Sequence, residues 1–223
     1  MKLVTFQSMD ALKNLMYKGY LECNPDFINL KKSGYAYDWI IEKMNQQIKN
    51  FSNAKYPVWC WVKCKKGNCP PKHKGNKVVG FDVKITFNKD VKEVFITDYR
   101  LFSFILNNTY IPNNLKDKNE FAKKLIKYNI TSDDLKAYVR KDKYENHRTD
   151  NEFLEVCKEI RKSFDKCITN NGDILQGCIW RINLEDIEKI EFLKEDGYTY
   201  GSYNYIRSNG ERFNWIEDYY QHL

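Results

Sequence analysis

Lys2-Leu-Val-Thr-Phe-Gln-Ser8, with Ala11, Leu12 and Leu15 behind it and Lys18-Gly-Tyr-Leu21 closing it, decides the reading of this chain. Leu3 to Phe6 is a short strand of apolar, β-branched and aromatic residues. Ser8 stands where a side-chain oxygen can take the first free N–H groups of a helix over residues 9–18. Gly19 is the residue type that leaves such a helix through a left-handed turn. A late segment, Ile174-Leu-Gln-Gly-Cys-Ile-Trp180, reads as a strand and is followed by Leu184, Ile187, Ile190 and Phe192.

Between these ends the pattern alternates irregularly. Tyr37, Ile40, Ile41, Met44 and Ile48 fall near helical spacing and predict a helix over 35–49. Pro57-Val-Trp-Cys-Trp-Val-Lys63 is a strand by composition, and residues 64–77, with Gly67, Pro70, Pro71 and Gly75 among lysines, are a loop. Val79, Phe81, Val83, Ile85 and Phe87 alternate as a half-buried strand. A short strand follows at 94–96, then a helix at 99–106 capped by Asp98, weaker helices near 118–128 and 132–140, and a clear amphipathic helix over 151–168. Strands are expected at 174–182 and 188–194. Mixed strands and helices without strict alternation predict an α+β fold with a mixed, mostly antiparallel sheet and flanking helices. We expect a single domain over 1–197 and a tyrosine-rich extension over 198–223, packed on it or mobile.

The chain has 223 residues, 37 Lys plus Arg against 30 Asp plus Glu, and a net charge of +7. That balance suits an anionic partner, although the charge is spread rather than clustered. No stretch approaches the ~18 apolar residues of a membrane helix, and the opening residues lack the apolar run of a signal peptide. The expectation is a cytoplasmic protein, without membrane contact, whose seven cysteines are free thiols.

Cys60, Cys64, Cys69 and His73 offer three thiols and an imidazole in fourteen residues, enough for tetrahedral zinc. No Cys-x-x-Cys pair is present and Cys60 sits inside a strand, so the expectation is no metal. Lys63 to Lys66 and Lys72 to Lys74 could contact phosphates, with Trp59 and Trp61 on one strand face for base stacking. Glycine-rich phosphate loops and a nucleophile elbow are absent. With three histidines, all in polar segments, a Ser-His-Asp or Cys-His machine is not expected.

Thr5 and Gln7, then Tyr37-Asp-Trp39, then Pro57, Trp59 and Trp61, then Asp98 with Leu106, and finally Gln176 with Trp180 form a set of motifs. On these the chain resembles an uncharacterised bacterial and phage domain family over roughly residues 1–195. More distantly, the strand–helix–glycine opening and the late strand are similar to those of ADP-ribosyltransferases, including toxins that modify DNA bases. That resemblance implies an ADP-ribosyltransferase-like fold in which the two end strands are neighbours lining one cleft. It implies NAD as cofactor, with Thr5 and Gln7 at the nicotinamide amide and Gln176 at the ribose hydroxyl. Tyr37, Trp39, Trp59 and Trp180 would be the stacking wall. The late strand of that family begins with a catalytic Glu, and here the residue is Gln176. A carboxylate both bonds the ribose hydroxyl and neutralises the charge that develops as the nicotinamide leaves; an amide does only the first. Glu185 or Glu188 is an alternative acid. Two functions are therefore carried forward. One is transfer of ADP-ribose from NAD to a macromolecule such as nucleic acid, as a toxin, defence or phage effector. The other is a non-catalytic effector that binds nucleic acid or a host protein.

Overall fold

The Ser8 side chain accepts from the Ala11 N–H at 3.2 Å, and Gly19, at φ +77°, sends its N–H to the Leu15 carbonyl. These two devices bound the first helix and set the path of the chain behind the first strand. The computed structural model describes residues 1–64, 81–140, 148–193 and 199–204. In chain order the elements are β1 (Lys2–Gln7), α1 (Met9–Lys18), β2 (Tyr20–Leu21), α2 (Leu30–Gln47), β3 (Val58–Lys63), β4 (Val83–Asn88) and β5 (Phe95–Asp98). They continue as α3 (Tyr99–Leu106), α4 (Leu115–Lys127), α5 (Ser132–Val139), α6 (Asn151–Ser163), β6 (Leu175–Ile179), β7 (Ile182–Asn183), β8 (Ile187–Leu193) and β9 (Thr199–Asn204). The fold is mixed α+β, with a mostly antiparallel sheet and flanking helices.

The chain divides into two compact units: Met1–Cys23, Asn50–Phe95 and Gln176–Leu223 form one, and Asn24–Lys49 with Ile96–Leu175 the other. In the first unit the strand order is β6-β3-β1-β4-β8-β9. β1 runs antiparallel along β4 through six residue pairs, from Lys2–Asn88 to Gln7–Val83, and β4 continues onto β8 through Val83–Phe192 and Ile85–Ile190. One face therefore collects Leu3, Val83, Ile85, Phe87, Ile190 and Phe192, all buried, and Leu12 and Leu15 of α1 are buried too. Polar residues hold the opposite face of β4 and β8, where Lys84 lies across from Glu191. A second, two-stranded ribbon pairs β2 with β7, and the Arg181 guanidinium stacks 4.0 Å above the Tyr20 ring while holding Glu22 at 2.6 Å.

In the second unit, Trp39 meets Phe164 edge-on at 6.1 Å, Phe164 meets Tyr35 at 6.3 Å, and Tyr138 meets Phe153 at 5.7 Å. Asp98 caps α3 by accepting from the Arg100 and Leu101 N–H groups, as its position predicts. Helix α2 begins at Leu30, earlier than the expected 35, and passes through Gly34. Glycine inside a helix costs about 1 kcal/mol. The buried side chains of Trp39, Ile40 and Met44 outweigh that cost. Helix α6 stops at Ser163 and tightens into a 3-10 turn over Phe164–Cys167, so the expected run to 168 is shorter.

The strand expected at 78–87 is β4, starting at Val83, and its first expected residues lie outside the described ones. Part of the tyrosine-rich extension is β9, which pairs antiparallel with β8; residues 205–223 lie outside the described residues. Among the described residues no helix is long and apolar enough to cross a membrane.

Candidate functional site

β1 and β3 meet at a single residue pair, Val4–Trp61. Past it a side chain takes over from the ladder. The Thr5 hydroxyl donates to the Trp59 carbonyl at 2.8 Å, and the Gln7 amide Nε2 donates to Thr5 Oγ1 at 2.8 Å. A hydroxyl has one proton to give and lone pairs to receive, so Thr5 can serve both neighbours at once. Thr5 is buried and Gln7 half-buried.

The Val4–Trp61 pair also fixes the faces, because directly opposed residues point the same way. Phe6, Trp59 and Lys63 join Val4 and Trp61 on one side. Leu3, Thr5, Gln7, Val58 and Cys60 occupy the other. On β6, a Cβ built at Gly177 would lie 2.9 Å from Cys60 Sγ and 3.1 Å from Val62 Cγ2. Gly177 therefore faces the Cys60 side, and Gln176 and Cys178 turn to the side of the two tryptophans.

The expected adjacency of the end strands is corrected: β3 lies between β1 and β6. The reason is local. Val58-Trp-Cys-Trp-Val62 is a strong strand sequence, and it inserts in the interior of the sheet. The structure brings Thr5 to Gln7, and it brings Gln176 onto the face of Trp59 and Trp61. It does not bring these two groups together.

Gln176 is 7 % exposed and, among the described residues, its Nε2 has no hydrogen-bond partner; the Trp180 indole N–H, also buried, has none there either. Buried donors left unmet are uncommon and costly, so Gln176 presents an unanswered donor on a buried strand. Trp39 belongs to the second unit and has no accessible surface. It is a core residue, which corrects its expected place in a stacking wall. Tyr37, on the same helix, is half-buried, as are Trp59 and Trp61.

Cys60 is buried and its thiol donates to the Gly177 carbonyl at 3.3 Å; burial pushes its pKa up to about 12, far from thiolate. Cys64 is disulfide-bonded, which departs from the expectation of free thiols, while Cys23, Cys60, Cys157, Cys167 and Cys178 are free. Cys69 and His73 lie outside the described residues. A neutral buried thiol and an oxidised sulfur are poor zinc ligands, and among the described residues no three metal-binding side chains cluster.

Of the acids after β6, three hold lysines. Asp186 pairs with Lys89 at 2.7 Å, Glu188 with Lys2 at 2.5 Å, and Glu191 with both Lys84 at 2.8 Å and Lys189 at 3.1 Å. Lys89 is buried, and nothing in Asn88-Lys-Asp90 distinguishes it from a surface lysine.

No curated protein and no solved structure significantly matches the chain. A family model does match, over residues 2–188. That span holds β1, β3 and β6 and every residue of the candidate site, so the chain belongs to the family described as Domain of unknown function (DUF3841).

Proposed function

We propose that the protein takes NAD as substrate and transfers its ADP-ribose to a macromolecular acceptor, on a fold of ADP-ribosyltransferase type. The observation that carries the reading is the buried, unanswered Nε2 donor of Gln176. The resemblance of the two end segments selects the ribose hydroxyl as its partner. In the reaction the bond between nicotinamide and ribose C1 breaks and nicotinamide leaves with the bonding pair. The acceptor's nucleophilic atom then bonds C1 and gives up a proton. Gln176 orients the ribose, and Trp59, on the same face, offers an indole to a planar ring. Thr5 and Gln7 face the other way, and their role is to stitch β1 to β3 beside the site. As a neutral amide, Gln176 adds no charge stabilisation, and slow turnover follows.

The test is to incubate the protein with NAD, measure released nicotinamide by chromatography and measure NAD binding by calorimetry. Binding with slow release, both reduced in Gln176→Ala, is the expected result. Neither binding nor release, with nucleic acid or protein extracts offered as acceptors, ends the proposal.

A second reading is a non-catalytic effector that docks nucleic acid or a host protein in the cytoplasm. The absence of a carboxylate at position 176 favours it. Ligand capture without any NAD turnover would select it.

A further inference from the structure

The outward face of the sheet in the first unit is divided. On β4 and β8 it is polar, as an antiparallel sheet with one wet face should be. On β1 and β3 the outward positions are Val4, Phe6, Trp59 and Trp61, all half-buried, and they break that rule. Phe81, just before β4, is 44 % exposed and lies 6.2 Å from the Phe6 ring at a 55° tilt. Phe6 and Trp59 follow the Val4–Trp61 pair by two residues in opposite directions, so they oppose each other across the splayed strands. Phe6 thus meets Phe81 on one side and stands across from Trp59 on the other, where the ladder opens.

The charges beside them are mixed, with lysines in excess. Glu191 is shared by Lys84 and Lys189, Glu188 answers Lys2, and Lys63 stands exposed at the end of β3 on the aromatic face. Four lysines face three carboxylates, Glu188, Glu191 and Asp82 beside Phe81, which leaves the rim with a small lysine excess.

We infer that this aromatic half of the sheet, Phe6, Trp59, Trp61 and Phe81 with Lys63 and Lys84 at its rim, is a docking platform for single-stranded nucleic acid. Unpaired bases present flat faces that stack on side-chain rings, and the phosphates between them meet lysines; a duplex hides those faces. Gln176 lies on this same side of the sheet. The inference therefore names the acceptor class for the proposed transfer and rests on that reading for its purpose, while the binding itself needs no NAD.

The experiment is fluorescence anisotropy with a labelled mixed-sequence 12-mer, as single-stranded DNA, as RNA and as duplex DNA, on the full chain without NAD. Micromolar binding of a single strand, weaker binding of duplex, and loss of affinity between 50 and 300 mM salt are expected. Phe81→Ala should weaken binding roughly 5- to 150-fold, the usual cost of a lost stacking ring. Lys63→Glu should weaken it and flatten the salt dependence. Tyr17→Ala, which removes a side chain 90 % exposed on α1, should leave binding unchanged, and circular dichroism checks that each variant is folded. No binding at 50 mM salt, a preference for duplex, equal capture of an acidic polypeptide, or indifference to both Phe81→Ala and Lys63→Glu each overturns the inference. Nicotinamide release is measured separately, so a failure here leaves the NAD reading standing or falling on its own result.

Discussion

The Thr5 hydroxyl bonds the main-chain carbonyl of Trp59 just past Val4–Trp61, where β1 and β3 leave the regular ladder. A side chain here completes what two backbones do elsewhere. Removing it should leave the Trp59 carbonyl and the Gln7 amide each short of a partner. Thr5→Val, nearly the same size, is expected to cost about 1–3 kcal/mol. Thr5→Ser keeps the oxygen and should cost clearly less. Urea unfolding of the two variants checks this, and equal losses would mean that packing and not the hydroxyl matters.

At Gly177 the neighbours of β6 leave no room for a side chain. A methyl group there would fall 2.9 Å from both Cys60 Sγ and Val94 Cγ1. Gly177→Ala should destabilise by about 1–3 kcal/mol through overpacking. Cys60→Ala removes one of the two obstacles, so the double variant should be more stable than the sum of the single losses predicts. Strict additivity in thermal melts would show that the strands do not press together at this point.

Burial separates the free thiols by reactivity. Burial pushes Cys60, Cys157 and Cys167 up to about 12, and it also raises half-buried Cys23. Since the thiolate is the reacting form, iodoacetamide at pH 8 should label Cys23 first among these four in the folded protein. The other three should follow only in denaturant. Mass spectrometry of the labelled protein reads the order directly, and early labelling of Cys60 would contradict its burial.

Much of this architecture is readable from residue order, and the misses have identifiable causes. Ser8, Gly19 and Asp98 act through neighbours in sequence, so their roles follow from spacing alone. Strand order is different. Nothing in Lys2–Gln7 or Leu175–Ile179 says that Val58–Lys63 will lie between them, because pairing is chosen by competition among all strands at once. Trp39 shows the same limit, since an indole at helical spacing has one pattern whether it lines a cleft or fills a core. Lys89 is least legible of all: its burial depends on Asp186, which is far away in the chain.

Acid should loosen the lysine–glutamate network on β8. At Glu191 burial raises the carboxyl, but the bonds from Lys84 and Lys189 outweigh it, and the net shift is downward from 4.5. Lys2 likewise holds Glu188 below its ordinary value. A carboxyl with a depressed pKa in the fold binds fewer protons there than in the unfolded chain. Its contribution is therefore complete above about pH 4.5 and is lost as pH falls through the lower folded value. Denaturation midpoints measured from pH 7 to 3 should drop in that window, and less steeply in Glu191→Gln. A parallel decline in the variant would assign the acid sensitivity elsewhere.

Gln176→Glu tests the proposed chemistry from the opposite direction. The wild-type amide can hold a ribose hydroxyl but carries no charge to set against the cation that forms as nicotinamide departs. A carboxylate in the same place supplies that charge, and a gain of order 10²-fold in nicotinamide release is expected, matching the effect of one well-placed electrostatic partner. Burial will raise the new carboxyl's pKa, so the gain should grow as pH rises and then level off. Calorimetry with NAD, together with circular dichroism, separates a folded binding variant from a damaged one. A Gln176→Glu protein that binds NAD and yet releases nicotinamide no faster than wild type from pH 6 to 9 would remove β6 from the chemistry. The unanswered amide would then be a feature of the core alone.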